Sequence, residues 1–287
     1  MKYPKKIPKN EKSFYDTSTF FQHRALNLTD SILHQDYSFD MHIHDFWEIN
    51  IVIAGEGCHY IEDTSIPVYV GDVFVIPPGI LHGYRSGKGL DVFHVLMKKE
   101  FLNRYQEELS ALPGYSVLIE IEPMLRQIYD RKMFLSLDAD EMTVIKREIR
   151  ELEHRQKAKL GTAHDIGVLQ LLCRLCMKMH EKQNMPERHR TREDAVLQIM
   201  EYINTHWNER ITEATLQEIS FMSASTINRH FKRILNQTPA EYMIRCRIRT
   251  ARGMIAQADK TKTEIAQICG FYDVSHMNKC LRLYDDL

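Results

Sequence analysis

The sequence predicts a two-domain protein of the β-plus-α class. A small antiparallel β-barrel followed by helices comes first, and an all-α tandem helix-turn-helix domain closes the chain. Three observations carry this. From about residue 19 to 97, runs rich in Val, Ile, Tyr and Phe (EINIVIAG, HYIED, IPVYVG, DVFVIPPG, DVFHVLM) alternate with Gly, Pro and Asp turns. From Lys99 to Met185 the apolar residues recur every three or four positions. After the charged, proline-containing MPERHRTRED, two helix-turn-helix phrases follow each other.

A chain of 287 residues can bury two separate cores. Its formal charge of -1 is unevenly spread, with acidic residues dominating the front half and an Arg-rich segment after Met185. No apolar run approaches the roughly 18 residues of a membrane span, and MKYPKKIPKNEK is not followed by an apolar signal core. A cytoplasmic protein without membrane association is expected. Cys173 and Cys176 have C-x-x-C spacing but lie in helical sequence without a second pair, which indicates packing rather than zinc.

Two phrases in the β region carry chemistry. One is His42-Ile43-His44-Asp45-Phe46-Trp47-Glu48 with Gly55; the other is Gly71-Asp72 leading to Pro77-Pro78-Gly79-Ile80-Leu81-His82. Histidines at i and i+2 share one face of a strand. The pattern resembles the cupin superfamily, matching its first motif and most of its second, with Ser86 where Asn is usual. That resemblance implies a barrel in which His42, His44, Glu48 and His82 converge and can hold a divalent metal. Three imidazoles and a carboxylate suit Zn, Mn, Fe or Ni. The same residues can instead bind a small polar ligand without any metal. Barrels of this type attached to DNA-binding domains often hold sugars, so no cofactor is required. Trp47, Tyr60, Tyr84 and His94 are candidates for the pocket wall, since aromatic faces cover the apolar side of a sugar ring.

Residues 1–110 are therefore assigned to the sensor barrel and 111–184 to a helical segment. In that segment DEMTVIKREIRELEHRQKAK places Met142, Ile145, Ile149 and Leu152 on one side, and HDIGVLQLLCRLCMKMHE is strongly apolar. Such a pair can cover an edge of the barrel or pair with its copy in a second subunit. The second role, a homodimer, is the expectation. Residues 185–194 read as a linker and 195–287 as the DNA-binding domain, opening with AVLQIMEYINTHWNE and its stripe of Val196, Ile199, Ile203 and Trp207.

Within that domain, Leu216, Ile219 and Phe221 place apolar groups on one side of a short helix. Met222 and Ser223 make a turn, and Ile227, Phe231 and Ile234 resume at helical spacing. Ser225, Asn228, Arg229 and Lys232 lie off the apolar stripe, a composition able to read base edges. TPAEYMIRCRIRTARGMIA forms a linking helix capped by Thr238 with Pro239 at its first position. TKTEIAQICGFYDVSHMNKCLRLYDDL then repeats the plan. Over roughly 27 Å, such a linking helix sets the two units apart on the scale of successive major grooves.

These phrases resemble AraC/XylS-type transcription regulators through Phe231-Lys232-Arg233, Thr238-Pro239 with Tyr242, Arg247, Ala251, Glu264-Ile265-Ala266, Gly270-Phe271 and Ser275. The resemblance implies base contacts from Ser225, Asn228 and Arg229, with Thr226 and Lys232 nearer phosphate. Val274, Asn278 and Lys279 are the corresponding residues of the second unit. It also implies one more helix than this sequence shows, so the first unit is expected to dominate.

The expected function is a ligand-responsive regulator that binds double-stranded DNA, takes a sugar-like effector, governs carbohydrate uptake or catabolism genes, and has RNA polymerase as a candidate partner. It is not expected to be an enzyme. The rival readings are a metal-dependent cupin enzyme and a metal-sensing regulator.

Overall fold

The computed structural model describes residues 13–15, 21, 28–62, 64–123, 126, 135–183, 192–257 and 260–284. They form two compact units divided between Lys182 and Gln183. Most of the proposed linker, and the final Asp285-Asp286-Leu287, lie outside the described residues.

The first unit holds β1 (Ser13–Tyr15), β2 (Thr29–His34), β3 (Phe39–His44), β4 (Trp47–Ile61), β5 (Thr64–Tyr69), β6 (Asp72–Ile76), β7 (His82–Met97) and β8 (Leu135–Ser136) in one sheet. Its main order is β1-β3-β7-β4-β6-β8, with β2 on β7 and β5 on β4. No described ladder joins the two ends, so the sheet is open where a closed barrel was expected. The curl comes from two long strands. β4 pairs with β7 along nearly its whole length, but the register shifts between Val52 and Gly57. Gly55 sits there at φ 69°, and a Cβ would meet the Gly89 carbonyl oxygen at 2.0 Å. Only glycine allows the strands this close at such a bulge.

Short helices α1 (Lys99–Arg104) and α2 (Gln106–Ser110) and a π-helical turn (Val117–Ile121) lead to α3 (Ala139–Lys157) and α4 (Gly161–Gln183). An Asp138/Glu141 capping box opens α3. Its stripe of Met142, Ile145, Ile149 and Leu152 is buried within this chain, so the covering role is the one the fold displays. A polar cluster fixes the helices to β2. Asp165 accepts from the Thr29 backbone at 3.0 Å and its hydroxyl at 2.6 Å, while His164 lies 2.9 Å from both Thr29 Oγ1 and Ser31 Oγ. Cys176 is fully buried in α4, consistent with packing.

The second unit contains α5 (Arg192–His206), α6 (Glu213–Ser220), α7 (Ala224–Leu235), α8 (Pro239–Gln257), α9 (Lys262–Ile268) and α10 (Val274–Leu283). Of the expected stripe of α5, Val196, Ile199 and Ile203 are buried, whereas Trp207 lies one residue beyond the helix and packs partly on the second core. Both helix-turn-helix units pack on α8. Ile227, Phe231 and Ile234 fill the first core; Ile248, Ala251, Ile265 and Met277 belong to the second. Phe221 departs from expectation, because α6 ends at Ser220 and the Phe221 side chain is 73% exposed.

Arg247 of α8 ties the domain together. It donates to the carbonyls of Trp207 (2.6 Å), Glu209 (2.8 Å) and Gly270 (2.6 Å). These carbonyls belong to the segment after α5 and to the second turn. Gly270, at φ 67°, leaves room for the guanidinium, since a Cβ would stand 3.2 Å from it. A lysine can offer only a point charge in place of this planar fork. Arg247→Lys is therefore expected to destabilise the C-terminal unit by about 2 kcal/mol or more, read as a lowered transition in calorimetry of the full chain.

Candidate functional site

Alternation along three strands turns polar residues into the curled sheet. β3 supplies His42 and His44, β4 supplies Glu48 and Asn50, β7 supplies His82, Tyr84 and His94, and all seven are buried. His42 pairs in register with His82, and Asn50 with His94.

Glu48 is the hub. Its Oε2 accepts from His44 Nε2 at 2.9 Å and lies 3.4 Å from His82 Nε2, while Oε1 bonds His94 Nδ1. Burial pushes this carboxyl up, but the hydrogen bonds of His44 and His94 outweigh it and hold the group well below the usual range. Three other imidazoles, those of His42, His34 and His59, are driven toward neutrality. Burial, with His82 next, lowers His42 to about 3, and burial, with His94 next, lowers His34 to about 4. Burial lowers His59 as well, with Arg126 adding to it.

His42, Glu48 and His82 offer ligand atoms within 4.8 Å of one another. Nδ1 of His42 donates to the Asp40 carbonyl (2.9 Å) and Nδ1 of His82 to that of Ile80 (3.0 Å). A carbonyl cannot donate, so each neutral ring carries its lone pair on Nε2. That tautomer, fixed from behind, fits a metal ligand. His44 differs from the four-ligand expectation, for its Nε2 donates to the ionised Glu48 and its ring stacks on Phe46 at 4.2 Å. It positions the carboxylate.

Several polar atoms in this interior have no protein partner among the described residues. They include both amide atoms of Asn50, both nitrogens of His59, Nε2 of His94 and the Tyr84 hydroxyl. His59 and Tyr84 stack with ring centroids 4.7 Å apart, and Tyr37 lies 5.0 Å from Tyr84. Tyr60 is buried too. Trp47 is not part of this group, because it precedes Glu48 in an extended strand and projects from the opposite face. Sequence reading missed Tyr37, His34, Asn50 and His59. Asn50, two residues after Glu48, was legible as a polar residue at an inward position.

A cleft of about 260 Å³ opens beside His42, lined by Tyr15, Ser38, Phe39, Asp40 and Arg85. Arg85 and Asp40 pair across it at 2.5 Å.

The nucleic-acid face lies on the second unit. Ser223 caps α7, accepting from the Thr226 backbone at 3.3 Å, and Asp273 caps α10, accepting from the His276 backbone at 2.6 Å. Aligning these caps matches Asn228 with Asn278 and Arg229 with Lys279, as expected. It matches Ser225 with Ser275, one position after Val274. Val274 packs partly on the second core, so its assignment was displaced by one residue. Ser225 and Thr226 share the Ser223 hydroxyl (3.1 and 2.9 Å), Asn228 is half-buried, and Arg229 is exposed. Lys232 is exposed but lies 3.7 Å from Glu241, which reduces the charge it can offer phosphate.

A sheet with a polar interior joined to a tandem helix-turn-helix defines a transcription regulator with its own sensor domain. Family models match in that order, an AraC-like ligand binding domain at residues 33–143 and a helix-turn-helix domain at 216–284. The HTH-type transcriptional activator RhaS of Pectobacterium carotovorum subsp. carotovorum (strain PC1) is 23% identical over 266 residues, 92% of this chain and 90% of its own. The probable transcriptional regulator LumQ of Photobacterium leiognathi is 24% identical over 86% of this chain and 89% of its own. A solved structure of apo ToxT from Vibrio cholerae covers 91% of this chain and 94% of its own at 13% identity and a TM-score of 0.37. The chain belongs to the AraC family of transcriptional regulators. It is a DNA-binding regulator, and no described helix is long and apolar enough to cross a membrane.

The charge state of the interior sets its acid response. His42 binds its proton in the unfolded chain near 6.5 and in the fold only at about 3, so stability is lost as pH falls between these values. The slope is about 1.4 kcal/mol per pH unit for this one group, and His34 and His59 act in the same direction. Depressed Glu48 contributes stability that is lost at still lower pH. Chelator-treated protein should therefore melt several degrees lower at pH 5 than at pH 7.

Proposed function

We propose that the chain is a ligand-responsive regulator whose effector is a small polyhydroxylated molecule, a sugar or sugar derivative, bound around Glu48. The unpartnered polar atoms of Asn50, His59 and Tyr84, all fully buried, carry this reading. Each such group costs about 1 to 3 kcal/mol without a partner, and hydroxyls supply both donors and acceptors. Tyr37, His59 and Tyr84 pack together beside these atoms and make the apolar part of the same interior. Control of carbohydrate uptake or catabolism genes follows as the biological role. The effector acts by preferring one DNA-binding state over another, and DNA then alters effector affinity by the same factor. Titration calorimetry against a panel of neutral monosaccharides tests this. One sugar should bind, Asn50→Ala should weaken it about tenfold, and operator affinity should shift when it is present. A panel without binding would remove the sugar.

A second reading makes a divalent metal the signal. The Nε2 lone pairs of His42 and His82 beside Glu48 favour it. These three residues would hold the ion, which would supply Lewis acidity to a ligand oxygen. Chelation that changes DNA binding in sugar-free buffer would select this reading.

A second copy of the chain is the partner proposed for α4, where exposed Ile166 and Met177 and half-buried Cys173 share one side. Ile166→Glu with Met177→Glu should convert a dimer into a monomer in sedimentation equilibrium. On DNA, Arg229→Ala should cost about 1 to 3 kcal/mol and relax preference at one base pair. Lys232→Ala should weaken all sequences alike and flatten the salt dependence. Equal footprints over two adjacent grooves per subunit would show that the first unit does not dominate.

A further inference from the structure

Two large side chains stand exposed beside the N-terminal ends of α7 and α10. Phe221 is 73% exposed two residues before the cap Ser223, and Tyr272 is 93% exposed immediately before the cap Asp273. Neither ring makes a ring contact among the described residues. Phe221 bears a second cost, for its φ of 52° lies in the left-handed region, where the second turn uses Gly270 at 67°. A bulky side chain there is strained, and glycine would relieve the strain. A strained backbone and an exposed aromatic ring at one residue point to something outside the chain that the ring meets.

The position identifies that surface. A recognition helix enters the major groove with its N-terminal residues toward the bases, so residues at its cap stand against DNA. Arg229 of α7 and Lys279 of α10 are exposed as well. A ring exposed beside such a cap is placed to meet the same DNA. What DNA offers an apolar ring there is the C5 methyl of thymine or the edge of a deoxyribose.

We propose that Phe221 and Tyr272 are apolar DNA contacts, one at the leading end of each recognition helix. The proposal rests on α7 and α10 being those helices. The full chain is tested on a duplex that the wild-type protein enriches from a random pool. Phe221→Gly should raise or preserve the melting temperature while weakening binding about tenfold, a split that a purely structural residue would not give. Phe221→Asn, which also tolerates left-handed backbone, should behave alike. Tyr272→Ala should lose affinity at unchanged melting temperature. Replacing thymines by uracil names the surface: a loss confined to one thymine in the wild type, and absent in the variant, assigns the methyl group, whereas equal losses on both duplexes assign the sugar edge. Binding by both Phe221→Gly and Tyr272→Ala within about twofold of wild type would overturn the proposal. If Arg229→Ala meanwhile lost affinity, the recognition helices would stand and only the rings would be misassigned. Loss of binding by Arg229→Ala, Phe221→Gly and Tyr272→Ala together would support both.

Discussion

The first unit depends on holding one carboxylate ionised inside a sheet. Burial alone would protonate Glu48, and the donors on His44 and His94 reverse that outcome. Each of those imidazoles comes from β3 or β7, the strands beside the His42–His82 register pair and along β4. The polar centre therefore links the strands as well as lining a site. Beside it, Asn50, His59 and Tyr84 find no protein partner among the described residues. A stable sheet and an unsatisfied interior are consistent because the hub is saturated while its rim is not.

In the second unit the corresponding constraint is Arg247. Three carbonyls from two segments converge on one guanidinium, which fixes the second turn against the end of α5. Asn204 adds a buried bridge, donating to the Tyr242 hydroxyl at 2.9 Å and accepting from the Cys246 thiol at 3.0 Å. With α8 held on both sides, α7 and α10 share a rigid support. Rigidity is what a tandem reader requires, since an angular error in one helix displaces its base contacts.

Much of this architecture was legible from spacing. The His-x-His alternation and Glu48 marked inward positions, and the three-to-four spacing of Ile227, Phe231 and Ile234 marked the first helix-turn-helix core. Glycine at 270 marked a left-handed turn. The same rules misplaced Phe221, because an apolar residue next to a helix stripe is normally buried and nothing local shows that α6 stops at Ser220. Val274 was displaced because the register of a short helix depends on its cap, and Asp273 acquires that role only once the turn is formed. Trp47 was drawn to the pocket by its neighbours, although strand alternation alone sends it to the other face.

By itself, then, the sequence determined the order of the domains, the family and the candidate residues, because periodicity and turn chemistry are local properties of a chain. Tertiary structure decided the rest. It left the sheet open among the described residues, brought the candidate ligand atoms of His42, Glu48 and His82 within 4.8 Å of one another while His44 donates to Glu48, and buried Asn50, His59, Tyr37 and Tyr84 in the same unit. Those outcomes depend on distances between strands far apart in sequence and on the balance between burial and hydrogen bonding, and neither is written in the spacing of residues.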